Sequence, residues 1–286
     1  IHSHTMFSGG GAAFILRNRI NYIVTIRSSD INYVWKYYPW LRSYGINILL
    51  HANKIICVAP WQCQSIYDYC SSDQRKILKN KINIIPSGID SFWYKKSTLV
   101  PKIKKSCEKN ILYLGEISFN KNIHTLMRII RRMNSVDYRC KLTIVGGTQD
   151  KFTNFVYSYY LRCYNYLFSC DSNFVGAIED KDHLKQYYRD ADIYVMISKR
   201  ETFGLTYIES ISQGTPIIYT KGQGVDGFFE NNKVGLGVYL FNDAQIINGI
   251  KKVLNNYDTF SKNCFYEIDK FKWKNIIPRY SSLYSD

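Results

Sequence analysis

Short, uninterrupted apolar runs recur along this chain at 22–26, 54–58, 82–85, 110–114, 141–145, 174–175, 193–197 and 216–220. Runs of that length without polar alternation suit strands covered on both faces, which is the condition of a parallel sheet. Between them the sequence predicts helices starting near Gly11 and Pro60 and lying around Thr125, Phe155, Lys181 and Leu205. Strand and helix in alternation define an α/β, doubly wound architecture, whose ligands bind at the carboxyl ends of its strands. Gly115, Gly146, Gly147, Ser198 and Gly222 all fall at such ends.

One of those corners carries chemistry. After the run at 193–197 come Ser198, Lys199, Arg200, Glu201, Thr202, Phe203 and Gly204, then Leu205, Thr206, Tyr207, Ile208 and Glu209. If a helix begins near Gly204, its first free N–H groups and the positive end of its dipole face the loop and suit a phosphate or diphosphate. Glu209, more than a turn inside, can accept paired hydroxyl protons from a ribose, and Glu201, before the helix, can reach a second polyol such as a sugar ring. Read in isolation, the same pair also fits a helix with solvated carboxylates at its start and on its outer face.

The flanking sequence extends the pattern. Gly214, Thr215 and Pro216 stop the helix before the next strand; Gly222, Gln223, Gly224, Val225, Asp226 and Gly227 follow it. Upstream, Gly115, Glu116, Ile117, Ser118, Phe119, Asn120 and Lys121 follow the strand at 110–114, and Pro86, Ser87, Gly88, Ile89 and Asp90 precede it. With these elements the chain resembles the retaining glycosyltransferases of family four, the group 1 glycosyl transferases, from its first residue to its last. Glu201 and Glu209 match the family's Glu, seven residues, Glu element; Pro86 to Asp90 match its interdomain segment; Gly115 to Lys121 match its phosphate loop.

The resemblance implies a GT-B fold of two Rossmann-like domains, the first incomplete. Expected boundaries are 1–98 for a partial amino-terminal, acceptor-side domain, 99–268 for the nucleotide-sugar domain, and 269–286 for a terminal helix crossing back to the first. The start at Ile1 and the linker by residue 90 are read as loss of roughly the first third of a full enzyme, whose two domains are usually of similar size. It also implies a donor site of Gly115, Lys121, Ser198, Phe203, Gly204, Leu205, Thr206 and Glu209, with His4, Glu201 and Lys121 as catalytic residues. Gly10, Arg27 and Asp30 would face the acceptor across the cleft. One position departs from the family: Glu116 stands where an arginine usually follows the loop glycine. A carboxylate beside two phosphates repels them unless it points away, with Lys199 or Arg200 supplying charge.

Composition narrows the partners. There are 38 Lys and Arg against 23 Asp and Glu, a net charge of +15, and the surplus concentrates between Arg75 and Lys109. Such a surface attracts nucleotide diphosphates, anionic lipid headgroups or nucleic acid. No nucleic-acid motif accompanies it, so nucleic acid is not expected as a partner. An AT-rich genome is an alternative source of the lysine bias. The expected partners are a nucleotide sugar, a glycan or lipid-linked acceptor, and an anionic membrane surface. The eight cysteines lack Cys-x-x-Cys spacing, several lie in apolar runs, and reduced thiols in a cytoplasmic protein follow. No Asp-x-Asp element or Cys/His cluster suggests a metal, and no cofactor is expected. No run reaches the 18 apolar residues or so of a membrane span.

These expectations amount to a metal-independent retaining enzyme moving a hexose-type sugar from a nucleotide diphosphate to a hydroxyl, at the inner membrane face or free in the cytoplasm. The alternative is an inactive nucleotide- or glycan-binding subunit descended from such an enzyme.

Overall fold

The protein is described by a computed structural model covering residues 1–95, 108–136, 138–148, 152–230 and 233–285. The expected domain boundary at 98/99 and residues 96–107 of the basic stretch lie outside the described residues. The first sheet has four parallel strands in the order β1 (His2–Ser3), β2 (Ile23–Ile26), β3 (Lys54–Cys57) and β4 (Ile82–Ile84). Between them run α1 (Gly9–Ile15), a π-helical segment Asp30–Trp35, α2 (Leu41–His51), α3 (Pro60–Tyr67) and α4 (Ser72–Lys81). The Ser71 side chain accepts from the Gln74 N–H at 3.3 Å to cap α4.

The second sheet comprises β5 (Lys109–Leu114), β6 (Cys140–Val145), β7 (Ser172–Gly176), β8 (Ile193–Met196), β9 (Ile217–Thr220) and β10 (Gly235–Val238), all parallel, in the order β10-β9-β8-β5-β6-β7. From β5 the chain winds outward in one direction and then, from β8, in the other. The crevice between β5 and β8 is therefore the switch point where a ligand binds in this architecture. Its helices are α5 (Ile123–Asn134), α6 (Phe152–Phe168), α7 (Lys181–Asp190), α8 (Leu205–Ser212), α9 (Asp243–Asn255) and α10 (Tyr257–Glu267). α5 buries Ile123, Leu126, Met127, Ile130 and Met133 at helical spacing and turns Arg128, Arg131 and Arg132 outward.

A last helix, α11 (Trp273–Ser285), lies on the first sheet: Ile276 and Leu283 pack with Ile23, Ile56 and Ile85, and Tyr280 leans on the same cluster. The two chain crossings between the sheets run side by side, since the Ile89 N–H donates to the Phe271 carbonyl at 2.9 Å and Ile89 pairs with Lys272. At Gly88 a side chain would meet the Trp273 ring at 2.4 Å. Among the described residues, no helix is long and apolar enough to cross a membrane.

Candidate active site

The loops following β5 and β8 meet at the switch point. The Lys199 N–H donates to the Asn120 carbonyl at 2.8 Å, and the Asn120 amide returns a bond to the Arg200 carbonyl at 2.8 Å. A third loop joins them: the Glu201 N–H donates to the Gln223 side chain at 3.0 Å and the Gly224 N–H to the Glu201 carbonyl at 3.1 Å. Gly204, at φ +80°, lets the chain turn into α8; a Cβ there would sit 2.4 Å from the Tyr207 ring. Tyr207 holds the turn down by donating to the Met196 carbonyl at 2.5 Å. The amides of Leu205 and Thr206 thus open the helix at the crevice, while the Phe203 ring is buried under it.

Lys121 and Glu201 form an ion pair of 2.6 Å across this crevice, their side chains 18% and 13% exposed. Around them Ser118 Oγ, Asn120 Oδ1 and Ser198 Oγ are buried without a hydrogen-bond partner among the described residues. Unsatisfied buried polar atoms cost free energy, and a cluster of them at a switch point is a socket awaiting polar ligand atoms. Gly115 lies at its floor, where Gly146 comes so close that a Cβ on it would lie 1.8 Å from the Gly115 carbonyl oxygen.

Glu209 is half-buried and accepts from the Tyr188 hydroxyl at 3.0 Å. Burial pushes its carboxyl up to about 7, against the lowering effects of that hydroxyl and of Lys181. Glu116 is held away from the two cations read with it: its Oε1 accepts from the buried Asn154 amide on α6 at 2.8 Å. Lys199 lies over the Phe119 ring, 3.4 Å from its centroid, and Arg200 reaches the Asn32 carbonyl at 3.5 Å.

The amino-terminal residues sit on the facing module. His4 is exposed, its ring tilted by 38° against the His2 ring with centroids 4.4 Å apart, and its carbonyl accepts from Arg27 Nε at 3.0 Å. Asp30 is buried, and its carboxylate accepts from the N–H groups of Arg27 at 2.8 Å and Met6 at 3.1 Å, tying the loop after β1 to the loop after β2. Gly10 is buried in α1 and donates to the Thr5 carbonyl at 2.9 Å. His4, Arg27 and Asp30 thus form one cluster, whereas Lys121, Ser198, Glu201 and Gly204 form another. Sequence reasoning missed Trp61, whose indole N–H crosses the cleft to the Thr202 carbonyl at 3.0 Å, and Tyr188. The only local signal for Trp61 was its place after Pro60 at a predicted helix start.

Two doubly wound modules, with the loops of one reaching the switch point of the other, make the GT-B fold. The chain belongs to the glycosyl transferases group 1 family, whose model matches residues 96–266. It is 27% identical over 308 residues to an uncharacterised glycosyltransferase of Methanocaldococcus jannaschii, covering 99% of this chain and 74% of that one. An alpha-monoglucosyldiacylglycerol synthase of Streptococcus pneumoniae is 26% identical over 63% of this chain and 40% of its own length. Among solved structures, sucrose-phosphate synthase of Thermosynechococcus elongatus superposes with a TM-score of 0.75 at 22% identity, over 100% of this chain and 72% of that one. HepE of Anabaena in complex with UDP does so at 0.78 and 17%, over 100% and 78%.

Proposed function

We propose that the protein transfers a sugar, with retention at the anomeric carbon, from a nucleotide diphosphate to a glycan or lipid-linked hydroxyl. The observation that carries this reading is the Lys121–Glu201 pair set among unpartnered Ser118, Asn120 and Ser198 atoms beside the amides of α8. Lys121 and those amides stabilise charge on the departing diphosphate without a metal ion. Glu209 accepts from the ribose hydroxyls, and Glu201, released from Lys121 when phosphate arrives, accepts from the sugar. The acceptor oxygen bonds to the anomeric carbon from the face that the diphosphate leaves, and the acceptor proton passes to a diphosphate oxygen. His4, across the cleft, would contact the transferred sugar. UDP-hexoses are the first donors to try, since HepE has been solved with UDP and with UDP-glucose.

Calorimetry with UDP and UDP-glucose tests the division of labour. Glu209→Ala weakens both ligands, whereas Glu201→Ala weakens only the sugar-bearing one; equal loss in both variants overturns it. The second reading, an inactive binding subunit, rests on Glu116, and its hydrogen bond to Asn154 weakens that case. The reaction would take place in the cytoplasm, free or at an anionic membrane face.

A further inference from the structure

After β2 the π-helical segment Asp30–Trp35 and the residues following it bring Tyr33, Tyr37, Tyr38 and Trp40 to the surface, 54%, 51%, 38% and 70% exposed. They form a connected strip: ring centroids are 5.3 Å apart for Tyr33 and Tyr37, 6.1 Å for Tyr33 and Tyr38, and 5.5 Å for Tyr38 and Trp40. Large rings left in water are informative when they are contiguous, because each forgoes substantial burial.

The three tyrosines line one side of an open groove of about 380 Å³ whose other side is Arg200, from the opposite module. Arg200 is exposed, and among the described residues no carboxylate pairs with its guanidinium. It directly precedes Glu201, and its carbonyl is clamped by Asn120 of the phosphate loop. A ligand in the groove therefore lies one residue from the carboxylate that addresses the donor sugar. Beside it, the Asn32 amide nitrogen is buried without a partner among the described residues.

We propose that this groove is the acceptor subsite and that it takes an anionic glycan. Pyranose C–H faces stack on Tyr33, Tyr37 and Tyr38, sugar hydroxyls meet the phenols, and a carboxylate or phosphate substituent bonds to Arg200. A planar bilayer fits less well, because the groove is walled on its far side by the second module. The inference rests on the transferase reading given above, and its reaction is the one balanced there.

The test is an array of neutral, uronate-bearing and phosphorylated oligosaccharides probed with the full chain, Tyr37→Ala and Arg200→Gln. Anionic oligosaccharides are retained by the native chain, and either substitution weakens them about tenfold while the melting temperature holds. Absence of any retained oligosaccharide, equal retention of neutral ones, or retention that survives both substitutions overturns the proposal. So does Tyr37→Ala releasing the chain from anionic phosphatidylglycerol vesicles while sparing oligosaccharides. UDP calorimetry is read separately: loss of UDP binding in the native chain defeats the transferase reading, whereas intact UDP binding in Tyr37→Ala isolates the groove.

Discussion

Glu209 is the residue at which pH enters. Its folded-state carboxyl titrates near 7, above the ordinary 4.5, so the protonated form is favoured by folding. The stability that this supplies is complete below 4.5 and is lost as pH rises through about 7; Glu209→Gln should flatten the melting temperature across that window. Hydroxyl donors from a ribose prefer the carboxylate, so nucleotide binding near neutrality should release a proton. Calorimetry in two buffers of different ionisation enthalpy reads that release, and buffer-independent heats would exclude it. Glu116 gives a second residue-scale prediction. Glu116→Ala strands the buried Asn154 amide and should cost about 1–3 kcal/mol in denaturant unfolding, whereas Glu116→Gln keeps an acceptor for Asn154 and should be nearly neutral. The glutamate's departure from the family pattern was visible in sequence; its partner was not, because Asn154 lies 38 positions away on a helix whose contacts no local spacing reveals.

At the scale of elements, α8 depends on the left-handed turn at Gly204. Gly204→Ala adds about 1–2 kcal/mol of backbone strain and drives a methyl against the Tyr207 ring, so both melting temperature and nucleotide affinity should fall. The apolar runs that announced β2, β3, β5, β6, β8 and β9 were legible because most of each strand is buried, whereas the run at β4 was legible although its three residues are only partly buried. β10 was not, since Gly235 and Gly237 break its apolar run. They are there for close approach: a Cβ on Gly235 would lie 1.8 Å from the Ile217 carbonyl oxygen. α2, α4, α9 and α10 were missed for a different reason. They mix polar and apolar residues on faces that only the finished packing defines, with the Ser71 cap of α4 and the Asn242 cap of α9 the clear local starts. Sequence also indicated which loops carry chemistry, but not that Asn120 and Gln223 stitch them together.

Over the whole molecule, the two modules are joined by their crossings and by contacts such as Trp61 to the Thr202 carbonyl at 3.0 Å and Arg200 to the Asn32 carbonyl at 3.5 Å. The GT-B class followed from strand alternation and motifs together, whereas the relation of the two sheets rests on contacts between residues far apart in sequence. α11 supplies the broadest of these. Ile276→Ala should cost about 2–5 kcal/mol and loosen the first sheet before the second, which hydrogen exchange would register as faster exchange at Ile23 and Ile56 than at Ile111; uniform acceleration would refute it. The same helix bears on how the protein is made. Domains generally fold as units while the ribosome is still working, at about 5–20 residues per second. Here the face formed by Ile23, Ile56 and Ile85 is synthesised before Ile276 and Leu283 and waits for them. Until those two residues emerge the nascent chain displays that greasy strip to chaperones, and the earlier-made sheet is finished after the later one.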